Sequence, residues 1–231
     1  MTLTKQFFRQ MIIKLVLEKN WRLLKWKLYK IKIDRNSWLT KNGASWKTYK
    51  KEMEWSWDET KLNAPQYFKR LEFTVKHCRG NVLEIGGGIG TMTRWIAESE
   101  DVVEVVTIDA FSEAIEEMKK YNIPKVTPLQ MNLEDIKFED GRKFDTVVNC
   151  EVIEHIYPDE EEKMLISLKP YIDSHTLFIV STPIGWLQDP FHVRGFSEKK
   201  FKKHIKKYYG SPIGIDTSSG YSQVAIGYFE G

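Results

Sequence analysis

Long apolar runs are missing from this chain of 231 residues. A bilayer-spanning helix needs roughly 20 consecutive apolar residues. The longest stretches here, Leu177–Val180 and Ile12–Leu17 (broken by Lys14), fall far short. The first residues have no uninterrupted apolar core and no small-residue cleavage site, so no signal peptide is expected. Cysteine is scarce: Cys78 and Cys150 are the only two. They cannot build a disulfide framework, and their separation matches no zinc spacing. A reducing cytoplasm is the simplest compartment for such a chain. Internal repeats and low-complexity tracts are also absent. The hydrophobic fraction of 42% sits near the globular average and excludes global disorder or a collagen-like chain.

The net charge of +3 hides an asymmetry. Residues 1–60 hold 14 Lys/Arg against 6 Asp/Glu and six of the eight tryptophans; the remainder is mildly acidic. At about 150 residues per domain the length suits one full domain with an appendage. The division expected is a basic, aromatic extension or lid over residues 1–63 and one domain over 64–231. Residues 5–33 carry nine Lys/Arg and one acid, interleaved with Phe7, Phe8, Trp21 and Trp26. That composition suits peripheral contact with an anionic membrane surface, a nucleic-acid-binding arm, or a helical cap with a solvated lysine face. Trp46, Tyr49, Trp55 and Trp57 could stack on a sugar or simply pack.

Beyond residue 80, strand and helix signals alternate. Asn81–Ile85, Val102–Ile108, Lys125–Gln130, Phe144–Asn149 and Thr176–Ser181 read as strands, rich in β-branched and apolar residues. Thr91–Glu98, Ser112–Tyr121, Pro158–Leu168 and Ser197–Tyr208 read as helices, with Ser112 the expected N-cap of the second. Ile213–Asp216 and Gln223–Phe229 suit a final antiparallel pair. The pattern predicts an α/β fold: a doubly wound, seven-stranded, mostly parallel sheet. Ligands of such sheets sit beyond the carboxyl ends of the strands, where the winding reverses.

The first strand ends in Glu84-Ile85-Gly86-Gly87-Gly88-Ile89-Gly90. Glycines there let the backbone turn sharply and approach a ligand. The loop fails the G-x-G-x-x-G dinucleotide fingerprint and lacks the Gly-Lys-Ser/Thr of a P-loop. It fits E-x-G-x-G-x-G. Asp109 closes the second strand, Met131–Asp135 follows the third, Phe144-Asp145-Thr146-Val147-Val148 forms the fourth, and Glu151-Val152-Ile153-Glu154-His155 comes after it. In this order the motifs resemble those of the class I S-adenosylmethionine-dependent methyltransferases, over roughly residues 65–209. The resemblance implies a Rossmann-like fold and S-adenosyl-L-methionine as cofactor, with S-adenosylhomocysteine as product. It implies a cofactor site of Glu84, Gly86, Gly88, Gly90, Asp109 on the ribose, and Asn132 with Leu133 near the adenine.

Methyl transfer from a sulfonium is an in-line displacement governed by positioning. A hydroxyl acceptor must also lose its proton to a base or a metal-bound group. Asp189-Pro190-Phe191-His192-Val193-Arg194 is similar to a stretch in methyltransferases of sugar and surface-glycan pathways, with Gly195 where an acid is usual. His192 is the expected base or substrate-orienting group, His155 a second catalytic candidate, and Arg194 a partner for an anionic substrate group. Glu151, Glu154, His155 and His192 also form a candidate set for a divalent metal, because E-x-x-E-H resembles ubiquinone-pathway O-methyltransferases and small-RNA 2′-O-methyltransferases. The plainer reading has Glu154 and His155 shaping the pocket floor without metal. The acceptor expected is therefore a hydroxyl of a sugar, glycan or other small molecule. The alternatives are a metal-assisted RNA 2′-O-methyltransferase and a non-catalytic cofactor-binding module.

Overall fold

The computed structural model describes residues 65–139, 141–185 and 192–230. The basic extension, its aromatic residues and Asp189-Pro190-Phe191 lie outside these residues. Five helices and seven strands are described: α1 (Pro65–His77), β1 (Gly80–Ile85), α2 (Thr91–Glu98), β2 (Val102–Asp109), α3 (Ser112–Lys120), β3 (Val126–Gln130), β4 (Thr146–Cys150), α4 (Pro158–Leu168), β5 (Leu177–Pro183), α5 (Glu198–Tyr208), β6 (Pro212–Asp216) and β7 (Ser222–Tyr228). The strands form one sheet in the order β3-β2-β1-β4-β5-β7-β6. The first five are parallel, and β7 inserts antiparallel between β5 and β6. The doubly wound, seven-stranded expectation holds.

Strict alternation along the strands builds two cores, one on each face of the sheet. Leu83, Ile85, Val106, Val147, Phe178 and Ala225 face one side and pack with Met164 and Leu168 of α4 and Phe201 and Ile205 of α5. Val82, Val105, Val148, Ile179 and Val224 face the other and pack with Ile96 and Ala97 of α2 and Phe73 of α1. β1 is hydrogen-bonded to both β2 and β4, so the winding reverses between β1 and β4.

Helix ends explain where the elements stop. Pro158 opens α4, and the Glu160 carboxylate accepts a hydrogen bond from the Tyr157 N–H. Ser197 caps α5, its hydroxyl accepting from the Lys200 N–H at 3.5 Å. The capping expectation for α3 needs correction. Phe111, not Ser112, is the cap residue, and its N–H is taken by Asp109 Oδ1 at 2.9 Å. The strand acid satisfies that donor, and Ser112 turns its hydroxyl to Glu113 instead. Both cysteines are free, and burial pushes both thiols up, Cys150 to about 11.

Candidate functional site

The parallel strands bring their carboxyl ends to one edge, and the glycine loop leaves β1 there. Gly86 and Gly87 donate N–H bonds to the Ile108 carbonyl at 2.8 and 3.2 Å, stitching the loop to the end of β2. Gly86, Gly88 and Gly90 all have positive φ, the region only glycine enters freely. Gly87 is required for a different reason: a Cβ there would lie 1.9 Å from Thr107 Oγ1. Glu84 sits beneath the loop on the α2 side, almost fully buried, and accepts a hydrogen bond from the Thr93 hydroxyl. Burial pushes its carboxyl up to about 7, with the Thr93 bond pulling the other way.

Asp109 joins two elements of the site. Its Oδ2 accepts from the Gly88 N–H and its Oδ1 from the Phe111 N–H, both at 2.9 Å. Burial raises its pKa, and these backbone donors oppose the rise. Each oxygen keeps a second lone pair. The Asp109 carbonyl accepts from the Met131 N–H, which brings the end of β3 alongside. Asn132 is exposed there, and Leu133 begins a short 3-10 turn. That turn is pinned to α4 by a Lys163–Glu134 ion pair at 2.7 Å and by Ser167 Oγ donating to the Leu133 carbonyl at 3.3 Å.

Past β4, Glu151 has φ +56, a left-handed backbone uncommon for a residue with a side chain. Such strain costs roughly 1–3 kcal/mol and persists where surrounding contacts over-determine it. Here Ser181 Oγ donates to Glu151 Oε1 at 2.8 Å, Ser222 Oγ to Oε2 at 3.2 Å, and Arg70 of α1 lies 3.1 Å from Oε1. Glu154 is 2% exposed, and neither of its oxygens accepts a hydrogen bond among the described residues. Burial and the negative charge of Glu151 push its carboxyl well above the usual range. His155 Nε2 is 4.0 Å from Glu154 Oε1, and the His155 and His192 rings meet edge to face at 4.8 Å. His192 is brought there by its chain neighbours. The Val193 and Arg194 N–H groups donate to the Glu154 carbonyl at 2.8 and 3.3 Å.

The family described as "Methyltransferase domain" matches residues 83–171. The fold is shared with DhpI, solved as a complex with SAM and HEP (TM-score 0.61, 18% identity, covering 77% of this chain and 90% of that one). It is shared with the methyltransferase domain of bacterial CtHen1-C (TM-score 0.55, 21% identity, 73% and 100%). It is also shared with the glycopeptide N-methyltransferase MtfA, solved with S-adenosyl-L-methionine (TM-score 0.55, 12% identity, 70% and 93%). No curated protein matches the chain. Residues 83–171 thus match a methyltransferase-domain family model, and the described fold is one that solved methyltransferases share.

Within this fold the expected residues divide. Gly86, Gly88, Gly90, Asp109, Asn132 and Leu133 lie along the ends of β1 to β3, as the motif order requires. Glu84 lies under the loop and is bonded to Thr93 of α2. Glu154, His155 and His192 come together, with a ligand atom from each inside a 4.8 Å span. Two expectations need correction. Glu151 is not in that cluster; its carboxylate is engaged by Arg70, Ser181 and Ser222. Arg194 is engaged inside the fold. Its Nε donates to the Ile153 carbonyl and its terminal nitrogen to Glu161, each at 2.6 Å.

Sequence reasoning missed Arg70, because α1 carried no expectation, and it missed Glu161. Glu161 is fully buried and also meets His204 Nε2 and Tyr209 Oη, each at 2.9 Å; Asn149 of β4 donates to that Tyr209 oxygen at 3.1 Å. The one available signal was Pro158 opening a helix with three acids, which reads as dipole complementation.

Proposed function

We propose that this protein uses S-adenosylmethionine to methylate a hydroxyl of a sugar, glycan or other small molecule. One observation carries the reading: two imidazoles, His155 and His192, face each other beyond β4, next to the strand that bears the glycine loop. The side-chain-free glycine loop lets the amino-acid portion of the cofactor approach the backbone closely, and the spare lone pairs of Asp109 would accept from two ribose hydroxyls. Asn132 and Leu133 would border the adenine. Bound there, S-adenosylmethionine would supply an electrophilic methyl group for in-line transfer to the acceptor oxygen. His192 would take the hydroxyl proton, and His155 would steady its ring.

The test is calorimetric titration with S-adenosylhomocysteine, followed by a screen of hydroxylated acceptors. Micromolar binding, lost in Asp109→Ala, supports the cofactor site. Turnover lost in His192→Ala with cofactor binding intact supports the base. Absence of any cofactor binding would instead leave a non-catalytic module on the same fold.

A second reading rests on Glu154. A buried carboxylate with no hydrogen-bond partner beside two imidazoles is a donor set for a divalent cation. Cis ligands of an octahedral ion stand about 3 Å apart, so the three side chains fit such an ion if they draw together. A bound cation would supply Lewis-acid activation of the acceptor hydroxyl. It would also hold Glu154 ionised, which burial alone opposes. An RNA 2′-hydroxyl becomes an eligible acceptor under this reading. Manganese titration followed by thermal unfolding separates the two: a rise in midpoint that Glu154→Gln abolishes supports the metal, and no rise removes it.

A further inference from the structure

Helix α5 carries six lysines in eleven residues, Lys199, Lys200, Lys202, Lys203, Lys206 and Lys207, and all six are exposed. At 100° per residue they occupy one continuous arc of about 160°. Phe201, His204, Ile205 and Tyr208 occupy the opposite arc and face the protein. Lys207 approaches Glu162 at 3.9 Å, and Lys206 acts on the more distant Glu230. Among the described residues the five lysines other than Lys207 have no acid within ion-pair distance. Like charges at i,i+3 and i,i+4 destabilise a helix by a few tenths of a kcal/mol each. The helix carries several such pairs with no neutralising partner.

The kind of polyanion follows from what the arc lacks. It has no arginine, no aromatic ring and no amide, so nothing on it stacks on a base or grips a phosphate bidentately. Lysines on flexible stems act as point charges, and a flat field of anionic headgroups requires only those. The neighbouring strand adds an apolar component. β6 packs beside α5 and is the sheet's edge, with Ile213 and Ile215 exposed at 67% and 36%. Ile215 is paired with Ala225, whose side chain belongs to the core on the α5 side. Cationic and apolar exposure therefore share one side of the domain.

We propose that the lysine face of α5, flanked by the β6 edge, seats this domain on an anionic phospholipid surface. The segment from His192 to Phe196 leads directly into α5, so the histidine pair and the lysine helix are joined by one short stretch of chain. The docking itself does not depend on methyl transfer.

The experiment is co-sedimentation of the full chain with vesicles of phosphatidylcholine alone and with 30% phosphatidylserine. The comparison protein carries Lys199→Gln, Lys202→Gln, Lys203→Gln and Lys206→Gln together. Near an anionic surface each lysine contributes about fivefold in affinity, so the variant should bind phosphatidylserine vesicles at least about thirtyfold more weakly. Wild-type binding should fall when sodium chloride rises from about 0.1 to about 0.5 M. The substituted side chains are exposed and their removal relieves like-charge pairs, so the unfolding midpoint should equal or slightly exceed wild type and S-adenosylhomocysteine affinity should match it, which separates docking from cofactor binding. Equal vesicle binding by variant and wild type would overturn the proposal and assign any membrane contact to residues 5–33. Failure to distinguish the two vesicle compositions would also overturn it. So would lysine-dependent binding of an RNA duplex tighter than vesicle binding.

Discussion

Arg194 offers the sharpest test of how this site is built. Its guanidinium and the Glu161 carboxylate are 2.6 Å apart, with side-chain exposures of 14% and 0%. Burial pushes the Glu161 pKa up, but His204 and Arg194 outweigh it, and the net effect is downward. Replacing Arg194 with Met keeps much of the stem and leaves a buried carboxylate short of one partner. Breaking such a pair from one side costs about 3–5 kcal/mol. His204 and Tyr209 still hold Glu161, so the lower end is expected. In a domain of this size about 3 kcal/mol lowers the thermal midpoint by roughly 6–12 °C. Removing the charge as well, in Arg194→Met with Glu161→Gln, should recover part of the loss, because an uncharged group is cheaper to bury. The assay is urea unfolding of Arg194→Met, Glu161→Gln, the double variant and wild type, closed as a double-mutant cycle. The sign with pH is fixed. A carboxyl whose folded pKa lies below its unfolded value stabilises above the unfolded pKa, near 4.5 here, and loses that contribution as pH falls through the folded pKa. The Arg194→Met penalty should therefore shrink in acid. A loss below about 0.5 kcal/mol at pH 7, typical of a surface change, would refute the argument and return Arg194 to the role of a substrate contact.

Three further outcomes follow from the loop and its supports. Glu84, at about 7 when folded and near 4.5 when unfolded, stabilises the fold while protonated, and that contribution is lost as pH rises between those values. Wild type should lose about 3 kcal/mol relative to Glu84→Gln across that window, and parallel curves in urea unfolding would contradict it. Gly87→Ala should cost about 1–3 kcal/mol by overpacking and weaken S-adenosylhomocysteine binding. Pairing it with Thr107→Ala removes the 1.9 Å collision and should restore binding; calorimetry that shows no rescue would place the glycine requirement elsewhere. Asp109→Asn puts an amide donor against one of two buried N–H groups, so it should cost about 1–3 kcal/mol and weaken cofactor binding together. Unchanged affinity in that variant would take Asp109 out of the cofactor site.

The parts of the fold legible in the sequence are those where one local rule dominates. Val102–Asp109 is β-branched over most of its length and cannot be mistaken for a helix. Pro158 and three acids mark the start of α4 without ambiguity. The glycines after Ile85 announce a ligand loop because three of them alternate in five residues. What was not legible depends on contacts made across long sequence separations. Arg70 reads as one more basic residue near a charged segment until α1 lays it against Glu151, 81 positions later. Glu161 reads as an exposed first-turn acid until the chain returns with Arg194, His204 and Tyr209. The Ser112 cap failed because the helix opens one residue earlier: the Phe111 carbonyl accepts from the Ala114 and Ile115 N–H groups, and Ser112 already lies in the first turn.

The division of E-x-x-E-H shows why spacing alone could not assign these groups. On a helix, residues three apart share a face, and Glu151, Glu154 and His155 would then point one way. The segment is a turn instead: the His155 N–H returns to the Val152 carbonyl at 2.9 Å, and Glu151 enters with positive φ. That entry swings the Glu151 carboxylate back toward β5, β7 and α1, where two hydroxyls and a guanidinium receive it. Glu154 is carried the other way, into a buried position beside His155 and His192, where neither oxygen has a well-formed hydrogen bond and the Thr182 hydroxyl only partly offsets the effect of burial. The two carboxylates therefore do different work. Glu151 secures a strained turn by contacts to three surrounding elements. Glu154 is left as a buried group whose ionisation is disfavoured unless a cation reaches it, and the manganese titration distinguishes a pocket floor from a metal ligand.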